Sequence, residues 1–289
     1  MRQVVDDIVV TKLTAGTRTD DLAARLKAVS SDPVRALWAA PLTAAPLAAP
    51  DGRHLILEPR IDLAGDSSPI PWREIGALVA RLQACPLPTA PALPEHGGRA
   101  VLTAAVMVAD KLHPGGGTDI LRELGRTLLR TWPTATRPVL AHGAVHLRSV
   151  GRLMGTPTWL FSRPATLGFG CATWDLGRPA GLWGAGLLDD ASWQAFHEGY
   201  REAGGEVPAP DEDWDELDHP ARCAVYMATV REVAGCGEYP RVELTELARI
   251  LLSTCVRMNG RRWPDLHRTK GWTEPGSHAD STAHGLLDA

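Results

Sequence analysis

Nowhere in the chain do eighteen apolar residues run together, which excludes a membrane-spanning helix. The first residues, Met1-Arg-Gln-Val-Val-Asp-Asp7, hold no basic stretch followed by an apolar core, so no secretory signal is expected there. Cysteine is sparse. Cys85, Cys171, Cys223, Cys236 and Cys255 are odd in number and no two form a C-x-x-C pair, which argues against structural zinc and fits buried thiols in a reducing compartment. A strong charge excess is also missing: the formal net charge is -4, and the arginines are dispersed among acids rather than gathered in a block. Nucleic acid is therefore not an expected partner, nor is a membrane. A cytoplasmic protein is the expectation. Lysines are few beside arginines, and alanine, glycine and proline are abundant, the bias of a high-GC bacterial source, which carries no functional weight.

What is present is enough apolar residue, 44% of 289, for a sizeable core in one large domain or two fused lobes. The β-branched run Asp7 to Leu13 reads as a strand ended by the turn-like Thr14-Ala-Gly-Thr17. Leu22, Leu26 and Val29 behind an acidic start predict a helix over 20–29, stopped by Asp32-Pro33. A second strand is expected over 52–59 after a turn at Asp51-Gly52. Pro71 to Leu82 predicts a helix with its apolar face at positions 75, 78, 79 and 82. Pro86 to Gly98 reads as a connection. Helices follow over 101–113 and 119–132, separated by Pro114-Gly-Gly-Gly117, and a short strand over 158–161. The Gly-rich residues 168–186 read as an extended connection, and helices are predicted over 190–203, 220–234 and 244–258. Periodicity ends near Trp263, and the acidic run from Glu206 to Asp218 reads as a solvated face.

Within Val139-Leu-Ala-His-Gly-Ala-Val-His-Leu-Arg-Ser149 the order of residue types resembles the catalytic loop His-Gly-Asp-x-x-x-x-Asn of the aminoglycoside phosphotransferase family, whose fold is protein-kinase-like. Other segments agree in order. Val9-Val-Thr-Lys12 is similar to the strand bearing the nucleotide-binding lysine. Pro71 to Leu82 is similar to the helix after the hinge, Ala172-Thr-Trp-Asp-Leu176 to the segment after the metal-binding strand, and Trp193-Gln-Ala-Phe-His-Glu-Gly-Tyr-Arg201 to the downstream helix. The resemblance covers roughly residues 8 to 205. It implies an α+β, two-lobed, protein-kinase-like fold: a truncated β-containing N-lobe over 1–70, a mostly helical C-lobe over 71–262 and a flexible tail over 263–289.

The same resemblance identifies what has been lost. The position of the catalytic base is Ala144, which accepts no proton. The two magnesium-ligand positions are Ser149 and Ser162, neutral hydroxyls where an amide and a carboxylate are expected. The family covers phosphates with a Gly-rich hairpin, yet only eleven residues precede Lys12 and none is glycine. The helix over 20–29 offers no glutamate to orient Lys12, leaving Asp20 or Asp21. No metal or cofactor is expected, and ATP or magnesium binding is disfavoured.

The expected function is that of a pseudokinase binding a partner protein, peptide or small molecule in the cleft. The resemblance also admits a repurposed enzyme, such as a cyclase in lanthipeptide-like maturation of bacterial peptide natural products, with His146 or His142 as general base and Arg148 stabilising an enolate. Residual small-molecule phosphotransfer through a displaced carboxylate, Asp175 or Asp189, is the third reading. Against these stand blander roles. Lys12 reads equally as a solvated edge charge, His142 and Asp175 as residues holding the loop, and Trp159, Trp174, Trp183 and Trp193 as core or pocket lining. Arg148 and Arg163 flank the degenerate ligand positions, where guanidinium groups could fill the charge vacated by magnesium or meet an anion.

Overall fold

The computed structural model describes residues 2–13, 17–88, 93–135, 137–206, 215–237 and 243–258. The expected tail over 263–289 and most of the acidic run lie outside them. The chain divides into two compact units, neither continuous in sequence: residues 1–97, 135–172 and 195–206 form the first, and 98–134, 173–194 and 207–289 the second.

The first unit holds all the strands among the described residues. The β-branched run Ile-Val-Val-Thr forms β2 (Ile8–Lys12), as such residues favour a pleated, half-buried surface. It pairs antiparallel with β1 (Arg2–Val5) on one side and, across α1 (Thr19–Val29) in the chain, with β4 (His54–Pro59) on the other. A two-residue β3 (Leu47–Ala48) completes the order β1-β2-β4-β3. Leu22 and Leu26 of α1 meet Ile56 of β4 in one buried cluster. A second sheet has the order β5-β7-β8, from β5 (Ile61–Leu63), β7 (Val150–Leu153) and β8 (Trp159–Phe161). Ile61 and Leu160 pack there with Ala39. The third pairs β6 (Val139–Ala141) with β9 (Gly168–Gly170).

α2 (Trp72–Gln83) buries Trp72, Ile75, Leu78, Val79 and Leu82, the face its spacing predicts. It crosses α6 (Asp190–Glu202), within which, between Gln194 and Ala195, the division between units falls. The crossing is tight because each helix offers a glycine. A Cβ on Gly76 would collide with the Phe196 carbonyl oxygen, and one on Gly199 with that of Arg73. Around this contact Trp72 meets Phe196 edge-on at 6.5 Å, Arg73 pairs with Glu198 and Glu202, and the Tyr200 hydroxyl donates to Gln83 Oε1 at 2.6 Å.

The second unit is helical. α3 (Gly98–Lys111) and α4 (Thr118–Arg130) are separated by the expected breaker, in which Gly115, Gly116 and Gly117 all take positive φ. α5 (Gly177–Gly184), α3, α4 and α8 (Glu246–Met258) pack on α7 (Asp215–Gly235). Enclosed by four helices, α7 shows little amphipathic contrast.

The structure corrects the sequence reading at three places. Residues 168–186 are not an extended connection: they contain β9 and α5. α5 is rich in small residues because Gly177 and Gly181 lie against Pro220 and Ala221 of α7, and that composition masks its helical periodicity. α7 begins at Asp215, not at Pro220, since a proline this close to a helix start removes one hydrogen bond near the end. A hairpin does precede Lys12, with Asp6 and Asp7 between its strands in place of glycines. No described helix is long and apolar enough to cross a membrane, and all five cysteines are free thiols.

Gly199→Ala forces α2 and α6 apart and should lower stability by about 2 kcal/mol or more, read by chemical denaturation. Gly235→Ala, which adds its methyl to open space, should change stability by less than about 0.5 kcal/mol.

Candidate functional site

β6 delivers the chain into His142-Gly143-Ala144, and the β7–β8 hairpin closes the site from the other side. Ser149 immediately precedes β7 and Ser162 immediately follows β8. Antiparallel pairing of Val150 with Phe161 therefore brings the two serines side by side, with the Ser162 N–H donating to the Ser149 carbonyl at 2.8 Å. Both are buried, at 0% and 1% exposure. Gly143 takes φ of 84° at the loop's sharpest point, and a side chain there would strike the Thr166 carbonyl.

His142 is fully buried, stacks on Trp38 with ring centroids 5.2 Å apart, and meets Phe161 at a tilt with centroids 5.0 Å apart. Its Nε2 lies 2.8 Å from the Ser162 carbonyl and its Nδ1 receives the Ala144 N–H at 3.3 Å. One nitrogen donates and the other accepts, which defines the neutral Nε2–H tautomer. Burial, with the Arg163 charge adding to it, pushes its pKa down to about 4. His96 is likewise lowered to about 4 by burial and by the charge of Arg25.

The hydroxyl of Ser149 closes a small ring with His146, accepting its N–H at 2.9 Å and donating to its carbonyl at 2.8 Å. At the His146 ring, Nδ1 faces the Arg148 N–H at 3.1 Å and Nε2 faces Arg163 Nη1 at 3.1 Å. A neutral imidazole carries a single lone pair, and whichever of the two nitrogens bears it is already faced by a protein N–H, so it is not open to act as a general base. The side chain of Arg148 is exposed on the rim.

Ser162 leads into Arg163, whose backbone is left-handed with φ 62° and ψ 65°, a conformation costing a non-glycine residue roughly 1–2 kcal/mol. The Arg163 N–H donates to Glu58 Oε1 at 2.6 Å. Glu58 is only 1% exposed, and sequence reasoning passed over it. The signal was its position two residues after the core residue Ile56, on the same inward face of β4. The Ser162 hydroxyl is buried with no hydrogen-bond partner among the described residues.

These groups do not suit magnesium. Ser149 is engaged with His146, Ser162 is neutral, the nearby cation Arg163 repels a second one, and Glu58 Oε1 already accepts a hydrogen bond. A hard divalent ion needs several charged or carbonyl oxygens converging on one point. Among the described residues no three His, Cys, Asp or Glu side chains group closely enough to hold a metal.

On the strand where the sequence placed a nucleotide-binding lysine, Lys12 Nζ bridges Asp51 at 2.6 Å, and Arg53 Nε shares that carboxylate at 3.0 Å. The hydrogen bond from Lys12 holds the Asp51 carboxyl below the usual range. Asp51 comes from the turn before β4; Asp21, one of the two partners expected for Lys12, bridges Arg18. The inner face of α1 presents Arg25 between Leu22, Leu26 and Val29. It donates to the Leu167 carbonyl at 2.7 Å and the Glu95 carbonyl at 3.1 Å. A buried cation thus occupies a helix face on which the phosphotransfer arrangement calls for a carboxylate. Its spacing on the apolar stripe was the available clue.

In the second unit, Asp175 is buried in the turn before α5. Asp189 caps α6, its two oxygens accepting from the N–H and hydroxyl of Ser192 at 2.7 and 3.1 Å, so a helix end accounts for it. Trp183 stacks on Trp193 at 5.7 Å and donates to Asp190, while Trp174 meets Trp132 at 4.8 Å. Trp159, in the first unit, lies under the Arg152 guanidinium.

Both buried histidines have folded pKa values near 4, below the unfolded value near 6.5. Their contribution to stability is complete above about pH 6.5 and is lost as pH falls toward 4, by at most about 3 kcal/mol each. Midpoint denaturation should fall over that window. His142→Gln should start lower at neutral pH and show a shallower acid slope.

No family model matches the sequence, nor does any curated protein. Solved structures do match the fold. A choline/ethanolamine kinase family protein from Mesorhizobium loti aligns over 99% of this chain and 88% of its own, with TM-score 0.59 and 13% identity. Choline kinase LicA from Streptococcus pneumoniae aligns over 89% and 87%, with TM-score 0.57 and 11% identity. Spectinomycin phosphotransferase APH(9)-Ia, in complex with ADP and spectinomycin, aligns over 90% and 84%, with TM-score 0.51 and 13% identity. The chain has the protein-kinase-like fold of the choline kinases and aminoglycoside phosphotransferases.

Proposed function

We propose that this protein is a pseudokinase of the aminoglycoside-phosphotransferase type, which binds a partner protein, a peptide or a small molecule at its loop face and transfers no phosphate. The observation carrying this reading is the state of the loop. Its base position is Ala144, and the polar side chains around the former metal positions are turned onto protein partners: the Ser149 hydroxyl onto the His146 backbone, the His146 ring onto the Arg163 guanidinium, and the Glu58 carboxylate onto the Arg163 backbone N–H. General base catalysis needs an acceptor within hydrogen-bond reach of the substrate hydroxyl, and phosphoryl transfer needs charge to neutralise the phosphates. The residues at these positions supply neither. Lys12 and Arg53, both drawn to Asp51, and the acidic pair Asp6-Asp7 between β1 and β2 weigh further against a bound polyphosphate. The kinase-like scaffold supplies shape and a rigid loop, which a binding role requires. Five free thiols fit action in the cytoplasm.

Incubated with ATP, magnesium and a panel of amino alcohols, aminocyclitols and basic peptides, the purified protein should transfer no phosphate above the buffer rate. Magnesium-dependent turnover that is abolished by Ser162→Ala would sink this proposal.

A further inference from the structure

α3 buries one side against α4 and α7 and leaves its other side apolar and exposed. At about 100° per residue, Leu102, Val106 and Ala109 face inward. Ala100, Ala104 and Met107 occupy the opposite side, with Val101 and Val108 along one edge of it. Exposure there is high: 59% for Met107, 44% for Val101 and 40% for Val108. Apolar residues exposed singly need no explanation, but a continuous stripe along a 14-residue helix marks a surface that meets a partner. The other edge carries charge, with Arg99 near the start of the helix and Asp110 near its end, both exposed. Asp110 accepts from Arg126 of α4 through Oδ1 at 2.8 Å, so its second oxygen can take another donor.

The order of these residues points to one partner. Val101 with Val108, and Arg99 with Asp110, are each placed symmetrically about the midpoint between Ala104 and Ala105, one pair on either edge. A two-fold axis crossing the stripe from edge to edge at that midpoint sets a second copy antiparallel and keeps each edge beside its like. Val101 then meets the partner's Val108, and Arg99 meets the partner's Asp110, twice over. Met107 falls between the partner's Ala100 and Ala104, whose small side chains leave room for it. Lys111 lies opposite the partner's Gly98, at the rim and in water. We propose that this stripe is the surface through which two copies of the protein form an antiparallel, two-fold dimer, with Met107 as its apolar anchor and the Arg99–Asp110 pairs setting its register. The face belongs to the second unit, and the proposal holds whether or not the loop of the first transfers phosphate. One helix about 21 Å long buries less than the ~800 Å² per partner of a standard interface, so the dimer forms at about tens of micromolar.

Sedimentation velocity on the full chain, over about 5 to 200 μM, tests this. The wild type should pass from monomer to dimer across that range. Met107→Glu changes an exposed side chain, so it should keep the thermal midpoint of the dilute protein and remain monomeric throughout. Arg99→Asp and Asp110→Arg each set like charges against one another across the two-fold axis, and each should weaken the dimer about tenfold or more. An equimolar mixture of these two variants should form a heterodimer in which both charge pairs are restored. The double variant Arg99→Asp/Asp110→Arg should recover the homodimer. Mixing does not repair a chain that has failed to fold, so recovery in the mixture reads the register itself. A wild type that stays monomeric or assembles beyond a dimer, a dimer indifferent to Met107→Glu, or a mixture no more dimeric than its components each overturns the proposal.

Discussion

The hydrogen bond between His142 Nε2 and the Ser162 carbonyl, 2.8 Å long and wholly buried, is the tie on which the site depends. It joins the loop after β6 to the end of the β7–β8 hairpin, and the stack on Trp38 allows the ring little freedom of orientation. Such a bond is strong where water is excluded and costly to break, because either partner left alone would be a buried unsatisfied group. With that tie in place, Gly143 turns sharply and Ser149 and Ser162 lie side by side. The loop is thus held by buried contacts within the first unit.

Charge follows the same inward logic. The polar groups in the first unit that could meet a phosphate or a metal are engaged at short range with protein partners: Lys12 with Asp51, Arg25 with two carbonyls, Ser149 with His146, and Glu58 with Arg163. Each is a modest interaction, and the exposed ones contribute little on their own. Their joint effect is to tie the loops of the first unit to one another. In kinase-like relatives such as choline kinase LicA the same fold is described as that of an enzyme; likeness of fold at 11% identity leaves function to the residues at the site.

Much of the architecture was legible in the chain. The helices over 72–83, 118–130 and 246–258 carry periodic apolar faces, and the strand before Lys12 is β-branched, so local pattern and final structure agree. What escaped notice shares a cause. α5 lacks a periodic signal because its small residues serve contact with α7, and β1 is too short and polar to read as a strand. Glu58, Arg25 and His96 look like ordinary charged or polar residues until the elements around them close and bury them.

The sequence by itself determined which chemical groups stand at these positions, and above all which do not: no carboxylate at 144 or 162 and no amide at 149. A missing functional group cannot be restored by folding, so that conclusion needed no coordinates. Only the tertiary structure decided what the remaining groups do. Glu58 and Arg163 are 105 residues apart, and His142 and Ser162 are separated by 20. Partners at such separations are chosen by sheet register and burial, which depend on the whole chain collapsing at once and leave no mark in any local stretch of residues.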